Sequence, residues 1–266
     1  MNIITSKNNQ KIKDLVKLRD DSRYSISKSL FYVEGERIIN DTPTKLIKEL
    51  YILDEKKDNF KNIINKIDEN NIYLLNDEVF DKIKDTKNSQ GIIATVDYNI
   101  INDLKSLDSD KLKTCIVLDN ISDPGNLGTI IRLSEATNVS LIIISSDSCS
   151  VYNTKVIRSC MSSIFRTNIY ISDDLVKDIN YLKSFKLNIY STVLNKNSIN
   201  YNLIDYSKKC ALIFGNEANG IKDELIEISD KSIYIPMCGK IESLNVSISA
   251  TAILYEIMRQ NNYYET

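Results

Sequence analysis

The sequence predicts an α/β protein built as two domains, and three observations carry that prediction. Short β-rich apolar runs alternate with amphipathic stretches along nearly the whole chain. The C-terminal runs are β-rich and mainly apolar, as strands of a mostly parallel sheet covered on both faces should be. The chain is 266 residues long, enough for two domains of ordinary size.

The elements follow in order. Residues 8–20 place Ile12, Leu15, Val16 and Leu18 among lysines at helical spacing. Leu30–Val33, Leu50–Leu53, Ile72–Leu75 and Ile92–Val96 read as strands, with helices at about 36–48, 57–70 and 77–85 between them. This gives an N-terminal α/β domain over 1–97. The polar stretch 98–112 lacks a strong pattern and reads as a linker. A second series occupies 113–266. Its strands are Thr114–Leu118, Ser140–Ile144, Leu187–Thr192, Ala211–Phe214 and Ser232–Ile235, with helices near 127–137, 153–164, 173–184, 221–228 and 244–260.

Composition narrows the chemistry. Apolar residues make up 42% and charged residues 26%, the balance of a globular chain with a substantial core. There is no His, which excludes Ser-His-Asp, Cys-His and His-metal sites. Five widely spaced cysteines, with no C-x-x-C pair, argue against zinc or a disulfide framework and for a reducing cytosol, hence a cytoplasmic protein. No secretory signal and no apolar run of membrane-spanning length occurs, so neither a membrane nor a metal is expected.

The formal charge of −2 gives no general support for nucleic-acid binding. Residues 1–28 differ: Lys7, Lys11, Lys13, Lys17, Arg19, Arg23 and Lys28 stand against Asp14, Asp20 and Asp21. Such a segment is either a solvated helix face or a local footprint for phosphates. Lys7, Lys11, Arg19 and Arg23 are the candidate contacts.

Glycine is scarce, with seven residues, and five of them fall in three C-terminal segments: Asp119–Gly128, Phe214–Gly220 and Ile235–Gly239. Each follows a predicted strand, and ligands of open parallel sheets sit at the carboxyl ends of strands. Ordinary turns are the competing explanation. Neither G-x-G-x-x-G opening a helix nor G-x-x-x-x-G-K-[ST] is present, so the usual phosphate cradles are absent. Arg132 lies on the helix after the first loop, one turn in by this reading. It either projects toward what the loop holds or pairs on the surface with a carboxylate such as Glu135.

Taken together, D-x-x-x-D-P-G-N-L-G-x-x-x-R from Asp119, F-G-N-E-x-x-G from Phe214 and I-P-M-x-G-x-x-E-S-L-N-V-S from Ile235 resemble the three motifs of the SpoU (TrmH) family. These are S-adenosylmethionine-dependent RNA ribose 2′-O-methyltransferases of the SPOUT superfamily. Phe31-Tyr-Val-Glu-Gly-Glu-Arg37 and Gln90-Gly-Ile-Ile-Ala94 resemble the family's L30e-like RNA-binding domain, which adds Arg37 to the candidate RNA contacts. Asn138 and Ser162 stand where the family commonly has Gly.

The resemblance implies an α/β-knot, a deep trefoil knot with a mostly parallel sheet, in the C-terminal domain. It implies a bent S-adenosylmethionine lined by Gly215, Ile235 and Leu244, with Asn216, Met237 and Gly239 near it. It gives Arg132 the catalytic position beside Asn126. Glu217 is expected to orient Arg132, with Ser243 and Asn245 on the ribose or the arginine. An always-protonated guanidinium suits a phosphate clamp and alkoxide stabiliser better than a base. The implied partners are RNA, 23S ribosomal RNA ahead of tRNA, and a second copy in a homodimer. The alternatives are a tRNA 2′-O-methyltransferase and a non-catalytic RNA-binding or ribosome-assembly protein retaining the knot.

Overall fold

The computed structural model describes all residues except 98, 99, 102, 242 and 262–266. Part of the expected linker and Glu242 of the third motif therefore lie outside the described residues. The chain divides into two compact units, Met1–Asn99 with Ser150–Phe165, and Ile100–Cys149 with Arg166–Thr266. Elements are numbered in chain order.

The first unit is a mixed sheet in the order β1 (Asn2–Ile4), β4 (Ile72–Leu75), β3 (Ile47–Leu53), β5 (Ile92–Asp97), β2 (Leu30–Glu34). Strands β1, β4 and β3 run parallel, whereas β5 is antiparallel to both β3 and β2. Helix α1 (Gln10–Asp20) starts where the Asn9 side chain accepts from the Lys11 amide, and it buries Ile12, Leu15 and Leu18. It continues into α2 (Ser22–Lys28). Helix α5 (Asp77–Ile83) is capped in the same way by Asn76.

Two expected helices shrink. The one at 36–48 is α3 (Glu36–Asp41), because Pro43 forces Thr42 into extended geometry. The one at 57–70 resolves into a 3-10 turn over Asp54–Phe60 and the single turn α4 (Lys61–Ile64).

Residues 150–165 pack as part of this first unit. The Phe31 ring stacks on Tyr152 at 4.5 Å and meets Phe165 edge-on at 6.4 Å. Arg158 pairs with Asp85, and Ser162 Oγ donates to Asp41 Oδ2 at 3.0 Å. The helix expected over 153–164 breaks at Met161, giving α7 (Thr154–Cys160) and then a 3-10 turn.

The second unit is a seven-stranded, wholly parallel sheet in the order β10 (Ile199–Asn200), β12 (Lys231–Tyr234), β9 (Asn188–Thr192), β11 (Cys210–Phe214), β6 (Thr114–Leu118), β7 (Leu141–Ser145), β8 (Ile169–Ser172). Strands β1, β8 and β10 are not among the expected ones; each is four residues long or shorter. Every residue of β6, β7 and β11 is buried, which fixes them as the centre of the sheet. Val117, Ile143, Ile189 and Ile213 share one core with α8 (Leu175–Ser184) and α9 (Asp223–Glu227). Leu104 and Leu112 from the expected linker are buried in that core, so this stretch is a packed part of the second unit.

Helix α6 (Pro124–Ala136) packs on α10 (Val246–Gln260). Asp123 caps α6 and Pro124 opens it, so the helix begins three residues before the expected 127. Asn138 just beyond it takes φ +54°, the left-handed geometry that Asn supports where Gly is commoner. In α10, Val246, Ala250, Ile253, Leu254 and Ile257 are buried while Ile248 is exposed. No helix among the described residues is long and apolar enough to cross a membrane.

The cysteines give a direct check. Burial pushes the Cys160 and Cys210 thiols up to about 12 and Cys115 higher still, whereas Cys238 is exposed. Thiolate, the reactive form, is thus withheld at the three buried sites. Native-state thiol labelling near pH 8 should modify Cys238 first, with Cys115, Cys160 and Cys210 reacting only on unfolding, as read by peptide mass spectrometry.

Candidate active site

In the second unit, the loops after β6, β7 and β11 leave the same end of three adjacent parallel strands and are stitched together by polar contacts. After β6, the Asp119 amide donates to Phe214 O at 2.9 Å. The next two amides turn to the serine-rich loop after β7: Asn120 N donates to Ser145 Oγ at 2.8 Å and Ile121 N to Ser148 Oγ at 3.0 Å. Asn120 takes φ +53°, which lets the chain reverse here.

The loop after β11 folds back on itself. Asn216 and Gly220 exchange backbone hydrogen bonds at 3.0 and 2.9 Å. The chain passes so close to itself that a Cβ on Gly215 would lie 2.3 Å from the carbonyl carbon and oxygen of Gly220. Only glycine fits there. The Asn216 side chain is fully engaged. Its Nδ2 donates to Asn120 O at 2.7 Å and Ser122 Oγ at 2.9 Å, and its Oδ1 accepts from the amides of Ala218 and Asn219.

Asn126 joins the three motifs. Its Nδ2 donates to Glu217 Oε1 at 2.5 Å, and its Oδ1 accepts from Asn245 Nδ2 at 2.9 Å. Asn245 caps α10, accepting from the Ser247 amide and hydroxyl. One side chain from each motif thus contributes to a continuous relay.

Asp119 and Lys222 form a second cluster behind the loops. The Asp119 carboxylate is 1% exposed and accepts from the Lys222 amide at 3.0 Å, while Lys222 Nζ lies 3.3 Å from Oδ1. Lys222 also reaches Asp147 Oδ2 at 3.1 Å. A hydrogen bond from Ser145, with the Lys222 ammonium beside it, holds the Asp147 carboxyl below its ordinary value. Asp147 and Asp119 in turn raise the lysine.

The expected residues divide on these contacts. Asn126, Glu217 and Asn245 are brought together, and Asn216 and Gly215 shape the loop beside them. Ile235, Met237 and Leu244 are half-buried, while Ser243 and Gly239 are exposed, with open space around the Cβ position of Gly239. Arg132 is exposed and has no hydrogen bond or ion pair among the described residues. Glu217 therefore meets Asn126 where a contact with Arg132 was expected. Arg132 lies more than two turns into α6 instead of one, because Asp123 and Pro124 start the helix early. The competing partner Glu135 is held by Arg166.

In the first unit, Arg19 donates from Nη1 to the carbonyls of Lys82 and Lys84 at 2.9 Å, closing the end of α5. Lys11 pairs with Glu49 and lies 4.7 Å over the Tyr73 ring. The charged heads of both are thus engaged locally. Lys7 is exposed and lies 3.8 Å from Glu78, Arg23 is exposed beside Asp21, and Arg37 is exposed with no partner among the described residues.

The sequence reading missed Lys222, Asp147, Ser145 and Ser148. The available signal was the tract Ser145-Ser-Asp-Ser148 directly after a buried strand, a polar loop at the end where such sheets bind ligands.

Comparisons with known proteins agree with this fold. Residues 113–255 match the SpoU rRNA Methylase family, and residues 9–94 match the MRM3-like substrate binding domain. The chain is 29% identical to the 23S rRNA (guanosine(2553)-2′-O)-methyltransferase RlmP of Bacillus subtilis, covering 97% of this chain and 99% of that protein. It is 33% identical to the 23S rRNA (guanosine-2′-O-)-methyltransferase RlmB of Blochmanniella floridana, covering 86% and 92%. The AdoMet-bound rRNA methyltransferase from Sinorhizobium meliloti superposes with a TM-score of 0.86 at 26% identity, covering 97% of each chain. With its three motifs, a wholly parallel sheet and a match over more than half its length, the chain belongs to the SpoU rRNA methylase family.

Proposed function

We propose that this protein transfers a methyl group from S-adenosylmethionine to a ribose 2′-hydroxyl in structured RNA, with 23S ribosomal RNA as the substrate. The observation that carries the reading is the Glu217–Asn126–Asn245 relay, which gathers one residue from each motif. Arg132, without a partner among the described residues, stands on the same helix as Asn126. The names of the full-length relatives RlmP and RlmB support the ribosomal substrate.

The residues fit this cofactor. The tight crossing at Gly215 holds the backbone of this loop in one fixed course, and exposed backbone groups of such a loop can hold an adenine edge. Ile235, Met237 and Leu244 offer half-buried apolar surface. When bound, S-adenosylmethionine supplies a methyl group made electrophilic by its sulfonium.

Arg132 then clamps a phosphate of the substrate with two parallel N–H donors, and places positive charge where the 2′-oxygen becomes anionic. The 2′-oxygen forms its bond to the methyl carbon as the carbon–sulfur bond breaks, and the hydroxyl proton passes to a neighbouring RNA phosphate. Asn126, fixed by Glu217 and Asn245, holds the loop that positions the ribose. Ser243 is an exposed hydroxyl available to it. The resemblance further supports a trefoil knot threaded by the segments after Gly215 and Ile235, a homodimer that covers Ile248 of α10, and residence in the cytoplasm. Domain limits of 1–97 and 113–266 belong to the same reading.

Tritium transfer to ribosomal RNA lacking the modification, followed by mapping of 2′-O-methyl positions with and without the protein, tests the activity. Cofactor binding without transfer to any RNA would favour the non-catalytic alternative. Arg132→Ala should lower turnover roughly 100- to 1000-fold while leaving cofactor binding intact by titration calorimetry. Gly215→Ala should destabilise the protein by about 1–3 kcal/mol or more, since backbone must move. It should also abolish cofactor binding.

A further inference from the structure

The first unit contains a cavity of about 270 Å³ that none of the proposed catalytic chemistry uses. Its floor is apolar, formed by Tyr32, Ile38, Ile157 and Met161, of which the first three are nearly fully buried. Its rim carries Arg37, Gln90 and Thr154.

The polar groups at this rim are unsatisfied in one direction. The Gln90 Oε1 accepts from the Glu36 amide at 2.7 Å, which leaves the Nε2 hydrogens aimed elsewhere. Neither Nε2 of Gln90, nor the Arg37 guanidinium, nor the Thr154 hydroxyl has a hydrogen bond among the described residues. Glu34, a carboxylate that also lines the cavity, is different. It accepts from the amides of Asp85 and Thr86, the Thr86 hydroxyl and the Tyr32 hydroxyl. The free groups at the rim are therefore mainly donors, one of them cationic, above an apolar floor.

The wall is also held in unfavourable geometry. Met161 takes φ +54° and ψ −142°, a conformation that a long side chain adopts only when its surroundings enforce it. The enforcement is visible on both sides. Arg158 is tied to Asp85, and Ser162 to Asp41. Gly35, with φ +111°, lets β2 turn sharply into α3 at the opposite wall. Strain retained around a cavity is a mark of ligand sites.

We propose that this cavity receives one unstacked nucleotide of the RNA substrate. The base lies against Ile38, Ile157 and the Met161 side chain. Base carbonyl and phosphate oxygens accept from Gln90, Thr154 and Arg37. Single-stranded RNA is recognised in this way, by bases splayed from the stack into pockets with hydrogen-bond donors at the edge. The donor-rich rim favours guanine or uracil, whose exposed carbonyl oxygens match it. This inference rests on the RNA-methyltransferase reading and names a contact of its substrate.

The test uses the full chain labelled with carbon-13 at its methionine methyl groups, of which there are four, Met1, Met161, Met237 and Met258. Guanosine and uridine 5′-monophosphates, and then a short single-stranded oligoribonucleotide, should shift the Met161 signal saturably. Arg37→Ala, which removes an exposed side chain without partners among the described residues, should weaken that response roughly tenfold or more. Ile38→Trp, which fills the cavity, should abolish it. S-adenosylmethionine should instead shift Met237. A Met161 signal unmoved by all three RNA probes, while Met237 responds and ribosomal RNA is methylated, would overturn the pocket and leave the enzymatic reading intact. A Met161 response in a protein that neither binds S-adenosylmethionine nor methylates ribosomal RNA would uphold a nucleotide pocket and remove the enzymatic reading on which its role as a substrate contact rests.

Discussion

The loop after β11 must pass back across its own start, and there is no room for a side chain at the crossing. A Cβ at Gly215 would sit 2.3 Å from Gly220 backbone atoms, which no side-chain adjustment relieves. Much else in the second unit follows from this close approach. It turns the backbone of Asn216 toward Gly220 and its side chain toward the β6 loop. It also places Glu217 where Asn126 can reach it. A parallel sheet brings loops to one end of its strands, but only such close packing joins them into one surface.

The polar cluster behind that surface works by the opposite principle. Asp119 is almost wholly buried, and a buried carboxylate costs free energy unless it is paired and hydrogen-bonded. Lys222 supplies both its backbone amide and its ammonium, and shares the latter with Asp147. The loops after β6, β7 and β11 are thereby coupled electrostatically as well as by hydrogen bonds. Catalytic geometry built on loops needs this reinforcement, because precision there depends on contacts that restrain the backbone.

The two units treat cationic side chains differently. On α1, charge density left a solvated face and a phosphate footprint both open, and Arg19 and Lys11 are held by local carbonyls, a carboxylate and an aromatic ring. Arg37 and Arg132 sit in less basic surroundings and have no partner among the described residues. Availability of the charged group, more than local charge count, distinguishes a candidate contact from a structural one. A net charge of −2 is compatible with RNA binding on those terms.

Most of the central sheet was legible in the sequence because buried parallel strands are apolar throughout. Thr114–Leu118 matches its predicted limits, and β7, β9, β11 and β12 shift by only a residue or so. The motifs likewise declared the family, since their residue types are set by chemistry and close backbone approach. Short edge strands such as Ile199–Asn200 carry no such signal, and neither does the break of a helix at Met161, where tertiary contacts override local preference. Which arginines stay free, and that residues 150–165 help to form a cavity in the first unit, depend on contacts between segments far apart in the chain. Local sequence fixes periodicity and capping; partners brought from distant parts of the chain decide which polar groups remain available.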